Sequence, residues 1–324
     1  VFMEGGGDKG IGEGKSKENT VDELELIDIL RDSEGRVTAV TVVEVDGVDK
    51  LMIGTAKGVL YMEDMETKIK QDTVYCDPQA RGISYVSFID QLLYVYIRGY
   101  GVLIFQKSYE KYEVCNAIDS DHHGFCNILH DGTNLVLPLS DSKLLIWNAD
   151  GRRDEVEMTH KGAPMVMVLI GMDTVVGGED GTITVYSMED RRQVRQKKIF
   201  SQPMFSLITM KGRLIAGTAG EPLRVVDYGS LDTLKTIDYP EKCLGCGCLT
   251  VIDEGRRFAA GFWDGSVRVY TAKGSLRKVI PPDDGGGQTS NAIVWRLSIS
   301  RFSFAVSAED GNLYLYKYSI PEIP

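Results

Sequence analysis

Histidine is scarce in this chain: four residues in 324, at His122, His123, His130 and His160. With so few, no Ser/His/Asp or Cys/His grouping with motif support can be assembled for nucleophilic catalysis. Cysteine is also sparse. Cys76, Cys115, Cys126, Cys243, Cys246 and Cys248 fall mostly in apolar stretches, a pattern that fits a reducing cytoplasm or nucleus better than a secreted disulfide framework. No apolar run approaches the roughly 18 residues of a membrane span. The longest, PMVMVLIG at 164–171, suits one buried strand. No membrane association is expected, and the N-terminus lacks the charged-then-apolar pattern of a signal peptide. Positive charge is the scarcer sign, with 36 Lys and Arg against 47 Asp and Glu, for a net charge of −11. That balance argues against nucleic acid as a partner, because such surfaces need a basic patch. The basic pairs Arg152-Arg153, Arg191-Arg192 and Lys197-Lys198 are read as solvated strand edges.

What the chain does have is one hairpin, repeated. An apolar strand ends in a small-residue turn and a second apolar strand follows at once. The pattern reads GTAKGVLYM at 54–62, IRGYGVLIF at 97–105, GGEDGTITVY at 177–186, GTAGEPLRVV at 217–226, GFWDGSVRVY at 261–270 and SAEDGNLYLY at 307–316. The turn glycines are Gly58, Gly101, Gly181, Gly220, Gly265 and Gly311, spaced 43, 80, 39, 45 and 46 residues apart. The double gap holds PLSDSKLLIW at 138–147, where Ser142 stands in for glycine. A strand-only period of about 40–45 residues is the signature of a β-propeller of the WD-repeat type. Asp180, Asp264 and Asp310, each just before its glycine, fit the same reading, since Asp and Gly supply tight-turn geometry cheaply.

Reading four strands per repeat predicts an all-β, seven-bladed β-propeller. The last repeat is one strand short, and LELIDIL at 24–30 is one strand too many. The expectation is that this N-terminal strand completes the last blade and closes the ring, so that no open sheet edge remains. Residues 1–20 are expected to be a flexible Gly- and charge-rich tail, 21–319 a single propeller and 320–324 a C-terminal tail. PPDDGGGQTSN at 281–291 is read as a linker.

The remaining motifs reduce to bland readings. GGGDKG at 5–10 spells G-x-G-x-x-G but follows no strand and opens no helix. GEGKS at 12–16 resembles the end of a P-loop but has Lys9 where the first glycine belongs. Cys243, Cys246 and Cys248 lack a second ligand cluster at zinc spacing and are read as small residues opening an inner strand. His122-His123, preceded by Asp119 and Asp121, is read as a solvated loop. Trp147 and Trp295 are expected in the core. Trp263, at a strand end beside its turn, is the candidate partner contact, weighed against simple packing. No catalytic, cofactor-binding or metal-ligating residue is expected.

Trp-Asp at the third strand's end is rare here, Ile146-Trp147-Asn148 being the nearest, and the Gly-His dipeptide before each blade is absent. These features set the chain apart from regular WD-repeat proteins such as heterotrimeric G-protein β subunits. Read in order, the blades carry Gly124-Phe125-Cys126 and Leu135-Val136-Leu137-Pro138, then Gly162-Ala163-Pro164-Met165, Gly177-Gly178-Glu179-Asp180-Gly181 and Gln202-Pro203-Met204. Gly217-Thr218-Ala219-Gly220, the run from Gly261 to Tyr270, and Ser307-Ala308-Glu309-Asp310-Gly311 follow. Over 124–319 this succession resembles the family of ASTRA-associated protein 1, also called guanine nucleotide-binding protein subunit beta-like protein 1. The resemblance implies a non-catalytic adaptor in the cytoplasm or nucleus. Such a protein works with the Tel2–Tti1–Tti2 cochaperone and the RuvB-like ATPases in maturation of phosphatidylinositol-3-kinase-related kinases. Phe200-Ser201-Gln202-Pro203 followed by Gly217-Thr218-Ala219-Gly220 is similar to a stretch of the Bub3/Rae1 mitotic propellers, which bind short linear motifs. Either way the expected partners are other proteins, with no cofactor and no small-molecule substrate. The acidic charge favours a basic or neutral partner surface.

Overall fold

The structure, a computed structural model, describes residues 24–31, 36–65, 70–109, 111–140, 142–148, 150–159, 161–281, 294–299, 303–308 and 312–318, with the strands at 24–31 and 294–318 described through their backbone. The expected tails at 1–20 and 320–324, most of the 281–291 segment, His160 and the Asp310-Gly311 turn lie outside the described residues.

The first strand, β1, spans Leu24–Arg31. Strands β2–β5 span Val37–Val45, Val48–Thr55, Val59–Asp64 and Lys70–Cys76. Strands β6–β9 span Ile83–Ile89, Leu92–Ile97, Gly101–Ser108 and Lys111–Asp119. Strands β10–β13 span Leu129–His130, Asn134–Pro138, Lys143–Asn148 and Arg153–Glu157. Strands β14–β17 span Pro164–Ile170, Asp173–Gly178, Thr182–Ser187 and Arg192–Lys198. Strands β18–β21 span Met204–Met210, Arg213–Thr218, Leu223–Asp227 and Thr233–Ile237. Strands β22–β25 span Cys246–Ile252, Arg257–Phe262, Val267–Thr271 and Leu276–Ile280. The last strands, β26–β28, span Val294–Ile299, Ser303–Ala308 and Asn312–Tyr318.

Each successive group of four, β2–β5 through β22–β25, pairs antiparallel in chain order. These six sheets are the blades described with their side chains. A further four-stranded sheet has the order β1-β28-β27-β26, in which β1 runs antiparallel to β28 from Leu24 opposite Tyr318 to Arg31 opposite Asn312. The fold is an all-β propeller. Its first strands line the centre: β2 lies against β6, β14 against β10 and β18, β22 against β18 and β26, and β26 against β2.

Blades stack face to face, so a middle strand is buried on both sides and alternate residues serve different neighbours. In β7, Leu93, Val95 and Ile97 join the core shared with β2–β5, whereas Tyr94 and Tyr96 join the core shared with β10–β13. In β16, Ile183 and Val185 face β18–β21 and Tyr186 faces β10–β13. This explains near-continuous apolar runs such as LLYVYI. Outer strands such as RQVRQKK in β17 pack on one side only and alternate between exposed and half-buried.

Bulges recur at one place. The register slips between the first and third residues of β2, β6, β14, β18, β22 and β26, leaving Thr38, Ser84, Met165, Phe205, Gly247 and Trp295 as the extra residues. A bulge re-aims its side chain. The Thr38 hydroxyl duly donates to the Ile83 carbonyl of the next inner strand at 2.5 Å. Outer strands are bulged too, at Val74, Cys115, Val194, Leu234 and Arg277. Such kinks blunt an edge against pairing with another chain.

Three expectations are corrected. Four strands per repeat call for a first strand in GFCNILH at 124–130, but only Leu129–His130 is strand. The reason lies in Asn127: its side chain donates to the Met167 carbonyl and accepts from the Met167 amide, both at 2.8 Å, so this segment bonds the neighbouring blade instead of its own. Cys76 and Cys115 lie in strands as the pattern suggests, and both are exposed because those strands are outer ones. His122 is buried, at 2% exposure, although its neighbour His123 is exposed. Trp147 packs against the core but stays half-buried. The Trp295 side chain lies outside the described residues.

Candidate interaction face

Crossover segments and the turns between second and third strands meet at one end of the ring. Backbone bonds tie them together: Ala56 N–H to Arg36 O, Arg98 N–H to Gly82 O, Gly99 N–H to His122 O, Glu179 N–H to Ala163 O, Gly220 N–H to Leu244 O and Trp263 N–H to Gly245 O. Bonds of this kind keep the loops of the end in fixed positions.

The turn glycines Gly58, Gly101, Gly181, Gly220 and Gly265 have φ of +77°, +128°, +80°, +71° and +82°. Ser142, at φ +59°, takes the same left-handed conformation, and its hydroxyl donates to the Gly162 carbonyl. Where Gly181 differs from Ser142 is room. A Cβ on Gly181 would lie 2.3 Å from the Phe200 carbonyl oxygen and 2.7 Å from that of Gln202. Asp180 accepts bonds from the Thr182 amide and hydroxyl, and Asp264 from those of Ser266, so both carboxylates serve their own turns. These are Asx-type turns.

Two polar networks brace the end from below. The Asp77 carboxylate receives the Arg81 guanidinium at 2.7 Å and 3.1 Å, together with the amides of Gln79 and Arg81. Burial acts to raise the Asp77 carboxyl, but Arg81 and the amides outweigh it and hold it below the usual carboxylate range. Arg81 also stacks 4.1 Å over the Tyr100 ring. In the second network, His122 Nε2 lies 3.1 Å from the Pro164 carbonyl, which can only accept, so Nε2 carries the proton. Nδ1 then accepts from the Tyr96 hydroxyl at 3.2 Å. The Ser120 hydroxyl donates to Pro138 O at 2.7 Å. One imidazole thereby joins β7, the crossover before β10, and β14. Burial pushes its pKa below the ordinary value, against the opposing effects of Pro164 and Asp121.

Among the described residues, Phe125, Leu244 and Trp263 bring hydrophobic surface to this end. Phe125 is 40% exposed and Leu244 is 70% exposed. Trp263 is half-buried, tilted against Phe205 with ring centroids 5.5 Å apart, and its ring covers Gly245. Its Nε1 is buried without a hydrogen-bond partner. Trp263 is therefore a packing residue on one face and a surface residue on the other. Phe125 and Leu244 carried no signal in the sequence beyond being apolar within polar crossovers.

The centre of the ring contains a cavity of 510 Å³ whose lining mixes apolar side chains such as Val86, Leu207 and Val251 with the polar Asn127, Ser206, Thr209 and Thr250. Among the described residues, no three His, Cys, Asp or Glu side chains gather to hold a metal ion. Cys243, Cys246 and Cys248 form no disulfide, and burial pushes the Cys246 thiol up to about 12, which leaves it an inert thiol. Among the described residues no helix is long and apolar enough to cross a membrane.

No protein-family model matches this chain, and no curated protein matches it significantly. Solved structures do. The chain is similar to Chaetomium thermophilum Raptor, with a TM-score of 0.79 at 17% identity over 93% of this chain and 30% of that one. It is also similar to the computationally designed Ika8 protein, with a TM-score of 0.66 at 13% identity over 90% of this chain and 99% of that one. The chain thus spans under a third of the length of the Raptor chain. At these identities the likeness to Raptor and Ika8 is one of fold alone.

Proposed function

We propose that this protein is a non-catalytic interaction scaffold, a seven-bladed ring over residues 21–319 closed by pairing of β1 with β28. The observation that carries the reading is the braced end of the ring, where Phe125, Leu244 and Trp263 present hydrophobic surface on loops fixed by backbone bonds. Propellers generally use such rigid ends to hold other proteins. The order of motifs over 124–319 supports a narrower assignment: a cytoplasmic or nuclear adaptor acting with Tel2–Tti1–Tti2 and RuvB-like ATPases on phosphatidylinositol-3-kinase-related kinases. In this reading it binds neither nucleic acid nor membrane, and takes no cofactor.

Affinity purification of the tagged protein from its own cells, followed by mass spectrometry, tests this. Recovery of Tel2-, Tti- or RuvB-like subunits is the expected result. Recovery of kinetochore or nuclear-pore proteins in their place would refute the adaptor assignment in favour of a Bub3/Rae1-type role.

A further inference from the structure

Most charged groups on the braced end are answered within the chain. Asp77 holds Arg81, Glu221 holds Arg224 and Ser201, and Asp121 holds Ser140. Glu179 accepts from the Ala163 amide. Arg98 is different. Its guanidinium carbon sits 4.7 Å over the Phe125 ring, and among the described residues no carboxylate lies within ion-pair distance of it. The group is half-buried, and burial acts against its charge. A partly desolvated cation with no carboxylate beside it among the described residues is an arrangement that an added anion relieves.

The surroundings say what kind of anion. Phe125 offers an exposed ring directly against Arg98. Arginine on an exposed aromatic ring suits a segment carrying both a carboxylate and a hydrophobic side chain. The whole chain carries a net charge of −11, so a strongly acidic domain is repelled at long range. A short segment that delivers its carboxylate to Arg98 at close range avoids most of that repulsion, because screening confines exposed charges to about 10 Å.

Building on the scaffold reading, we propose that the end of the ring around Arg98 and Phe125 is a docking site for a short acidic linear segment of a partner protein, with a carboxylate of that segment on Arg98 and an apolar side chain on the Phe125 ring. This deepens the scaffold reading by specifying the chemistry of the partner, which is opposite in sign to the one the overall charge suggests.

The test is selection of a phage-displayed library of random twelve-residue peptides on the intact protein. The expected result is enrichment of sequences combining Asp or Glu with Leu, Phe or Trp. Their affinity should fall tenfold or more in Arg98→Glu and in Arg98→Gln, fall several-fold in Phe125→Ala, and stay unchanged in Arg213→Glu, which alters an exposed residue at the opposite end of the ring. Arg98→Gln keeps the test informative if charge reversal impairs folding. Absence of any enriched peptide, enrichment without acidic residues, or acidic peptides that bind both Arg98 variants as they bind the parent would overturn the site. Partners recovered from cells equally by the parent and by Arg98→Gln would remove this site and leave the scaffold reading standing.

Discussion

Replacing Gly181 and Gly212 by alanine separates two costs that a turn glycine combines. Both have left-handed φ, +80° and +75°. A Cβ on Gly212 meets nothing within 4 Å. Gly212→Ala therefore reports the backbone cost alone, about 1 kcal/mol. At Gly181 the added carbon lies 2.3 Å from the Phe200 carbonyl oxygen and 2.7 Å from both the Phe200 carbonyl carbon and the Gln202 carbonyl oxygen. Those atoms are backbone, so the strand-to-crossover junction must move. The movement stretches the bonds by which Ile199 and Phe200 donate to the Gly181 carbonyl at 2.9 Å and 3.0 Å. Each such bond lost in the interior costs about 1–3 kcal/mol. Gly181→Ala is thus expected to cost about 3–7 kcal/mol, several times more than Gly212→Ala. Urea unfolding followed by tryptophan fluorescence reads the difference as a shift in midpoint at unchanged slope. Equal midpoint shifts in the two variants would refute the argument that close approach, rather than φ, demands glycine at Gly181. Ser142 already occupies the left-handed region with a side chain in place, which is consistent with space being the deciding factor.

Two further outcomes are expected. Because the pKa of His122 is lowered in the folded state, the unfolded chain takes up a proton that the folded chain refuses. The His122 contribution is constant above its ordinary value of about 6.5 and declines as pH falls below it, toward the folded pKa, by up to about 1.4 kcal/mol per pH unit. Urea titrations at pH 7.5 and 5.5 should show this loss in the parent and a flatter response in His122→Gln; identical slopes would contradict it. Deleting residues 1–31 removes β1 and leaves β28 with an unpaired edge. The truncated protein should self-associate in size-exclusion chromatography, and a stable monomer would argue against closure by β1.

The hairpins were legible in the sequence because their causes are local. A turn that needs positive φ selects Gly or Asp, and a strand packed on both faces selects an apolar run, so Glu179-Asp180-Gly181 and LLYVYI could each be read without knowing their neighbours. The candidate site was legible only at Trp263. Arg98 and Phe125 lie 27 residues apart in sequence, on the turn of one blade and the crossover leading to the next. His122 looked like a solvated loop residue because nothing nearby in sequence shows that Tyr96 and Pro164 close around it. Asn127 looked like a strand residue because its true partner, Met167, is 40 positions away. The repeat, the strand content and the turn chemistry were therefore settled by the sequence itself, through preferences acting over a few residues. Which loop residues are buried, which aromatic ring a cation stacks on and which aromatics reach the surface were settled only when the blades packed into a ring, because those properties depend on residues that the chain brings together across blade boundaries.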